Sequence, residues 1–333
     1  MAVEAIQKVL DGSGKHQLAW VAYDGADAVN RCAESTPDLI LMDLILPVLD
    51  GVEATRQIIA KTPCAILVVT ASPDTQPGKV FEAMSAGALD VTSTPRFDTD
   101  RIRGGATLLA KIDSISKLIG LPKKKGVPAP KRANSASISK QPHQLVAIGA
   151  SAGGPTAVAK VLGSLPDNFP AAIVVVQHVD EQFAPGLALW LNDQAVLPVR
   201  LAREGDQPIS GTVLVAGTRD HLTLLNPSTL GYTPDPQDYA YRPSVNAFFE
   251  SLARNWRGEV VGVLLTGMGR DGATGLKALR NKGHFTIAQD QATCAVYGMP
   301  KAAAALNAAV EILPLEEIGP KLNEIFHARN RSD

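Results

Sequence analysis

Cysteine is scarce in this chain. Cys32, Cys64 and Cys294 are the three among 333 residues, too few and too scattered for a disulfide framework or a zinc site. Cys32 and Cys64 lie in apolar patterns and are expected as buried thiols. Cys294 lies in a more polar stretch, where a reactive thiol is the alternative. An excess of either charge is lacking too. The formal net charge is -1, which argues against general nucleic-acid binding. No apolar run approaches the roughly 18–20 residues of a membrane-spanning helix, so no direct membrane insertion is expected. The start has no basic segment followed by an apolar core, and no secretion signal is expected. These absences predict a soluble cytoplasmic protein. What is present is 45% apolar residues, enough at this length for two hydrophobic cores.

The first part alternates helical and strand patterns. Val3, Ile6, Val9 and Leu10 share one helical face, and Gly12 and Gly14 end it. Strands are predicted at Leu18 to Tyr23, Asp38 to Asp43, Ala65 to Thr70 and Ala88 to Thr92. Helices are predicted at Gly25 to Ala33, Val52 to Lys61, Lys79 to Ala86 and Arg103 to Ile119. Such alternation implies a parallel sheet. Asp43 ends a central-looking strand, where chemistry collects in open α/β sheets; a turn or helix cap is the alternative. The run Asp38 to Arg56, with Thr70-Ala71 and Gly87-Ala88-Leu89-Asp90, resembles the receiver domain of two-component response regulators. That resemblance implies Asp43 as the phospho-acceptor and Thr70 as the switch hydroxyl. Two features depart from it. Receivers begin with a strand ending in an acidic pair that holds Mg²⁺, and this chain begins at what reads as the first helix. Receivers also carry a lysine where Thr94 precedes Pro95. In the strand order 2-1-3-4-5 the absent strand would lie between strands two and three, leaving two inner edges unpaired. A truncated start is the expectation. Mg²⁺ then has too few oxygen ligands, and phosphotransfer to Asp43 is expected to be poor.

Residues 120–142 carry Lys, Pro, Ser and Ala without apolar periodicity. Lys123, Lys124, Lys125, Lys131, Arg132 and Lys140 are uninterrupted by acids. A flexible basic linker is expected, between a receiver at 1–119 and a second domain at 143–333.

The second domain opens with Leu145 to Pro155, an apolar run that stops at Gly149-x-Ser151-x-Gly153 before a helical pattern. This is how a strand ends in a tight turn and presents a serine hydroxyl. The glycines remove Cβ clashes and let a substrate carbonyl approach the backbone. A glycine-rich turn that binds phosphate, or nothing, is the alternative. Ala172 to His178 is an apolar strand ending in Gln-His, and Glu259 to Thr266 is a buried strand running into Gly267-Met-Gly-Arg-Asp271-Gly272. Helices are predicted at Pro155 to Leu162, Pro185 to Leu191, Asn246 to Trp256, Thr274 to Lys282, Pro300 to Ala309 and Ile318 to Arg329. Further strands are predicted at Gly211 to Ala216, His221 to Leu225 and Phe285 to Asp290.

Ser151, His178 and Asp271 thus stand at three strand ends, which converge in a parallel sheet. Serine needs a base within reach, and the base needs an orienting carboxylate. Of the six histidines, His178 is the one that directly ends a strongly apolar strand. Asp290 also ends a strand and is the main rival to Asp271, whose flanking glycines give a turn that would expose it. Asp180 is too close to His178 in sequence. The order Ser, His, Asp differs from that of α/β-hydrolases.

Gly149-Ala-Ser151-Ala-Gly-Gly, Gln177-His178, Arg242-Pro-Ser-Val-Asn246, Leu265-Thr-Gly-Met-Gly-Arg-Asp271-Gly-Ala and Val296-Tyr-Gly-Met-Pro300 resemble the CheB family of chemotaxis methylesterases. Asp43 to Gly51, Thr62 to Ile66 and Ala88 to Val91 resemble most the WspF-type members of Wsp surface-sensing systems. The resemblance implies two doubly wound α/β domains: a receiver lacking its first strand, and a methylesterase with a Rossmann-like parallel sheet. It implies Ser151 as nucleophile, His178 as base, Asp271 as its orienting acid, and an oxyanion site at the Met268 backbone and the Ala152-Gly153 turn. Many members carry Thr where Ala152 stands. The implied substrate is a glutamate γ-methyl ester, or a glutamine, on a methyl-accepting chemoreceptor, with a CheA-like histidine kinase acting on the receiver. Such a triad uses no metal or organic cofactor. In the family the unphosphorylated receiver covers the esterase site, so a damaged receiver is expected to lose inhibition or solubility. A nucleotide-binding module is disfavoured, because neither a dinucleotide fingerprint nor a P-loop lysine is present. A catalytically weak adaptor that regulates a receptor or kinase is the remaining alternative.

Overall fold

The structure is a computed structural model that describes residues 2–71, 77–98, 101–119, 144–239 and 241–329. Two compact units divide the chain, Met1–Lys124 and Lys125–Asp333. The expected linker, 120–142, lies outside the described residues.

In the first unit, α1 (Ala2–Ser13) buries Ala5, Val9 and Leu10. It is followed by α2 (Gly25–Glu34), β1 (Leu39–Met42), α3 (Gly51–Lys61), β2 (Ala65–Thr70), α4 (Pro77–Ser85) and β3 (Asp90–Ser93). A short antiparallel pair, β4 (Arg96–Asp98) and β5 (Arg101–Arg103), precedes α5 (Gly105–Ile119). Aspartates start two of the helices as caps. Asp24 accepts from the Asp27 N–H at 2.8 Å and Asp50 from the Glu53 N–H at 2.9 Å. The sheet is parallel in the order β1-β2-β3. Its middle strand is buried on both faces, as its unbroken apolar run requires.

The expected strand at Leu18 to Tyr23 does not form. In the receiver order it would pair with a first strand, and among the described residues no strand precedes β1. Among the described residues β1 pairs with β2 alone. Leu18 and Tyr23 are consequently exposed, and Trp20 is tied through its indole N–H to the Ser35 carbonyl at 2.9 Å. The hairpin β4–β5 was not expected, since three residues per strand are too few for a periodic pattern.

The second unit is built on a seven-stranded parallel sheet. Its strands are β6 (Gln144–Ala150), β7 (Ala172–Gln177), β8 (Val199–Leu201), β9 (Val213–Val215), β12 (Glu259–Leu264), β13 (Phe285–Gln289) and β14 (Glu311–Leu313), in the order β14-β13-β12-β6-β7-β9-β8. An antiparallel hairpin, β10 (His221–Asn226) with β11 (Thr229–Thr233), stands apart from that sheet. The helices are α6 (Gly154–Gly163), α7 (Ala184–Gln194), α8 (Val245–Asn255), α9 (Ala273–Asn281), α10 (Met299–Ala305) and α11 (Leu315–Arg329). Leu145, Val146, Ala147 and Ile148 of β6 and Ile173 to Val176 of β7 are fully buried. They form the middle of the core, which Phe248, Phe249 and Leu252 of α8 extend toward the hairpin.

The helix expected through Ala309 stops at Ala305. Asn307 adopts a left-handed conformation (φ 49°) and the chain turns into β14, a conformation asparagine tolerates better than most residues. The alanine-rich run hid this end. The strands β8, β11 and β14 were likewise not expected.

Candidate active site

The sheet order places β6 between β7 and β12. The chain leaves β6 toward one side and later returns on the other, so the carboxyl ends of these strands flank a topological switch point. Ser151 follows β6, His178 follows β7, and the loop Gly267 to Gly272 follows β12 by two residues.

Ser151 is buried, and its turn is pinned on three sides. Its N–H donates to the Thr266 carbonyl at 3.0 Å. Its carbonyl accepts from the Gly154 N–H at 2.7 Å and from Gln177 Nε2 at 2.8 Å. The glycines remove Cβ clashes, as expected. A Cβ at Gly149 would come within 2.2 Å of Val245 Cγ1, and one at Gly153 (φ +71°) within 2.5 Å of the Ala295 methyl. They admit neighbouring protein side chains at close range. In particular, β6 ends in contact with the first residue of α8.

His178 continues the β6–β7 pairing, its N–H donating to the Ala150 carbonyl at 3.0 Å. Its side chain is 8% exposed and lies flat on Tyr241, with ring centroids 4.3 Å apart and planes 6° from parallel. Nε2 is 2.7 Å from Asp271 Oδ2. A carboxylate only accepts, so Nε2 carries the proton and Nδ1 of the neutral ring presents a lone pair. Nδ1 is buried and has no hydrogen-bond partner among the described residues.

Asp271 was expected to be exposed by its flanking glycines and is instead buried, under the start of α8. Oδ1 accepts from Ser244 Oγ at 2.8 Å and from the Asn246 N–H at 3.1 Å. Oδ2 accepts from the Val245 N–H at 2.7 Å, besides His178. Free N–H groups at a helix start favour an anion there. Burial opposes the charge. The hydrogen bonds from His178, the Ser244 hydroxyl and the Val245 N–H outweigh it, and the carboxyl is held below the ordinary carboxylate range.

The rivals are occupied elsewhere. Asp290 accepts from the N–H and hydroxyl of Thr293 at 3.0 and 2.6 Å, closing the turn after β13. Asp180 precedes a single 3-10 turn, Glu181–Phe183. Burial and the neighbouring Asp290 push the Cys294 thiol up to about 12, which disfavours its thiolate. Cys32 is buried and lies 3.9 Å from the Cys64 sulfur, and burial pushes Cys64 up to about 12. His16 sits 3.4 Å from Asp113 in the first unit. His143 falls outside the described residues.

The Ala152, Gly153 and Met268 N–H groups make no hydrogen bond among the described residues. The Met268 loop is held from behind, where the Gly267 carbonyl accepts from the Gly298 and Met299 N–H groups at 3.0 and 2.9 Å. Tyr241, Ser244 and His221 belong to the site's surroundings and were not singled out as contributors from sequence. For Ser244 a signal existed: a serine directly before a helical pattern is an N-cap signature.

In the first unit, Asp43 follows β1 and Thr70 ends β2, the adjacent strand. Asp43 Oδ1 accepts from the Ile45 N–H at 3.2 Å. Asp50, the next carboxylate, is engaged as the α3 cap and by Lys79 at 3.4 Å. Lys111 pairs with Asp90 at the opposite end of the sheet, 3.0 Å away. Among the described residues no three His, Cys, Asp or Glu side chains group as metal ligands. The residues present therefore do not fit the Mg²⁺ site that a receiver implies.

A serine, a histidine and an aspartate follow neighbouring strands at one switch point of a parallel sheet, in a chain whose earlier unit is receiver-like, and this is the pattern of a signalling hydrolase. Comparison with known proteins agrees. Residues 146–322 match the CheB methylesterase family and residues 1–103 the response regulator receiver domain. A protein-glutamate methylesterase/protein-glutamine glutaminase of Pseudomonas savastanoi pv. phaseolicola is 57% identical over 329 residues, 98% of this chain and 96% of its own length. A counterpart from Pseudomonas aeruginosa is 54% identical over 329 residues, 98% of this chain and 97% of its own. The crystal structure of the Thermotoga maritima CheB methylesterase catalytic domain is 34% identical with a TM-score of 0.53. It covers 56% of this chain and 100% of that one. The chain belongs to the CheB methylesterase family and is an enzyme of the hydrolase class. Among the described residues no helix is long and apolar enough to cross a membrane.

Proposed function

We propose that the chain hydrolyses glutamate γ-methyl esters, and deamidates glutamines, on methyl-accepting chemoreceptors through Ser151, His178 and Asp271. The observation that carries this reading is the 2.7 Å contact between His178 Nε2 and Asp271 Oδ2, which leaves the buried Nδ1 as the ring's base. Ser151 Oγ attacks the ester carbonyl as its proton passes to Nδ1, and Asp271 stabilises the imidazolium. The Ala152, Gly153 and Met268 N–H groups are the donors available to the oxyanion. Nδ1 returns the proton to the leaving methoxide, which departs as methanol, or to the leaving nitrogen of a glutamine amide, which departs as ammonia. Water then attacks the acyl-enzyme with His178 as base again, and the glutamate side chain is released.

Methanol release from methylated chemoreceptor tests this. Ser151→Ala is expected to lower the rate by about 10⁴-fold or more. Release at the wild-type rate would remove Ser151 from the reaction.

The receiver reading assigns Asp43 as the residue a CheA-like histidine kinase would phosphorylate and Thr70 as its switch hydroxyl, with transfer to Asp43 expected to be poor because the described residues do not fit a Mg²⁺ site. Within the family, the WspF-type reading rests on Asp43 to Gly51, Thr62 to Ile66 and Ala88 to Val91. The same reading sets the boundaries at 1–119, 120–142 and 143–333.

A further inference from the structure

Asp271 is held in place by a chain of contacts that ends on a second histidine. His221 opens β10 and is 0% exposed. Its Nδ1 accepts the Ser244 N–H at 3.0 Å, and its Nε2 lies 3.0 Å from the Pro236 carbonyl. A carbonyl only accepts, so Nε2 carries the proton and both partners fix one neutral tautomer. Tyr239 covers the ring edge-on, centroids 5.8 Å apart at 72°. Ser244 is the α8 cap. No carbonyl of its own helix is available to its N–H, and its hydroxyl both accepts from the Ala247 N–H at 3.3 Å and donates to Asp271 at 2.8 Å.

We propose that His221 is a positioning residue for hydrolysis: by accepting the Ser244 N–H it fixes the α8 cap in the orientation that holds Asp271 against His178. This inference rests on the reading of Ser151, His178 and Asp271 as the catalytic triad. His221 touches no reacting atom. It sets the angle of the first turn of α8, whose Val245 and Asn246 N–H groups and Ser244 hydroxyl make three of the four hydrogen bonds to the carboxylate. Because every member of the chain from His221 to His178 is buried, water has little access to replace a missing link.

The substitutions separate this role from simple filling of space. Asn at 221 places its Oδ1 where Nδ1 stands and keeps the acceptor. Phe fills the volume better but has no acceptor. Gln keeps a polar end toward Pro236 and also lacks the acceptor at the Ser244 end. Tritiated methanol release by the full chain, from membranes carrying a methylated chemoreceptor, gives kcat and KM. Thermal unfolding of each variant reports folding. His221→Phe and His221→Gln are expected to lower kcat by about 10–100-fold with KM within about twofold, and His221→Asn to recover most of the rate. Wild-type kcat in a folded Phe or Gln variant overturns the proposal, as does an Asn variant as slow as Phe and Gln. Should Phe not fold, Gln against Asn decides. Ser151→Ala in the same assay separates the two levels. Full release there overturns the triad and this inference together, whereas its loss beside unaffected His221 variants overturns the inference alone.

Discussion

Asp271 keeps its charge in a buried place because fixed donors replace the water it has left. Four hydrogen bonds converge on two oxygens, three of them from one helix start and its cap. That arrangement has a pH signature. The folded carboxyl titrates below its ordinary value of 3.8. Its contribution to stability is therefore complete above that value and is lost as pH falls through the lower, folded pKa. Urea unfolding of the wild type is expected to weaken below about pH 4, and Asp271→Asn, which cannot titrate, to show a shallower decline over the same window. Equal slopes would mean that Asp271 is not held as an anion. The positions of Ser151, His178 and Asp271 after strands of one sheet were legible in the sequence because each follows an apolar run that ends at a turn. Tyr241 and His221 were not. Their contacts depend on how residues 234–244 return across the site, and no periodicity encodes a loop's return path. Asp271 was found but its exposure misjudged, since nothing near it in sequence announces that α8 starts above it.

At the scale of elements, α8 has two functions at once. Its inner face packs Phe248, Phe249 and Leu252 into the core, while its first turn receives the carboxylate. The two are linked through one side chain, Ser244. Ser244→Ala removes the cap bond to Ala247 and the hydroxyl bond to Asp271. It is expected to lower the free energy of unfolding by about 1–2 kcal/mol, measured by urea titration at neutral pH, together with a fall in kcat. A stability loss with unchanged kcat would separate the cap from the chemistry. Most helices of both units were readable from apolar spacing and cap residues, as Asp24 and Asp50 show. Leu18 to Tyr23 has strand composition yet forms none, because a strand exists only with a partner. The opposite error occurred at the end of α10, where a helical composition concealed the turn that Asn307 makes in a left-handed conformation.

At the scale of the whole molecule, the two units differ in how complete their chemistry is. The second brings its serine, histidine and aspartate strand ends to one place. In the first, among the described residues, Asp50 is engaged as a cap and does not join Asp43 in a metal-ligand group, and Lys111, tied to Asp90, lies at the other end of the sheet. Acetyl phosphate with Mg²⁺ is therefore expected to leave Asp43 essentially unmodified by intact-mass measurement, and the rate of methanol release unchanged. Stoichiometric phosphorylation would refute this account of the receiver.

The strand order β12-β6-β7 also bears on when the enzyme comes into being. His178 and the carboxylate beside it are 93 residues apart along the chain. A polypeptide emerging from the ribosome holds β6 and β7, with Ser151 and His178, long before the segment that closes the other flank of β6 has been made. Closing so distant a contact is entropically costly and comes late. Until then the imidazole lacks the carboxylate partner at Nε2, and on the proposed triad the growing chain carries its serine and histidine before it can hydrolyse an ester.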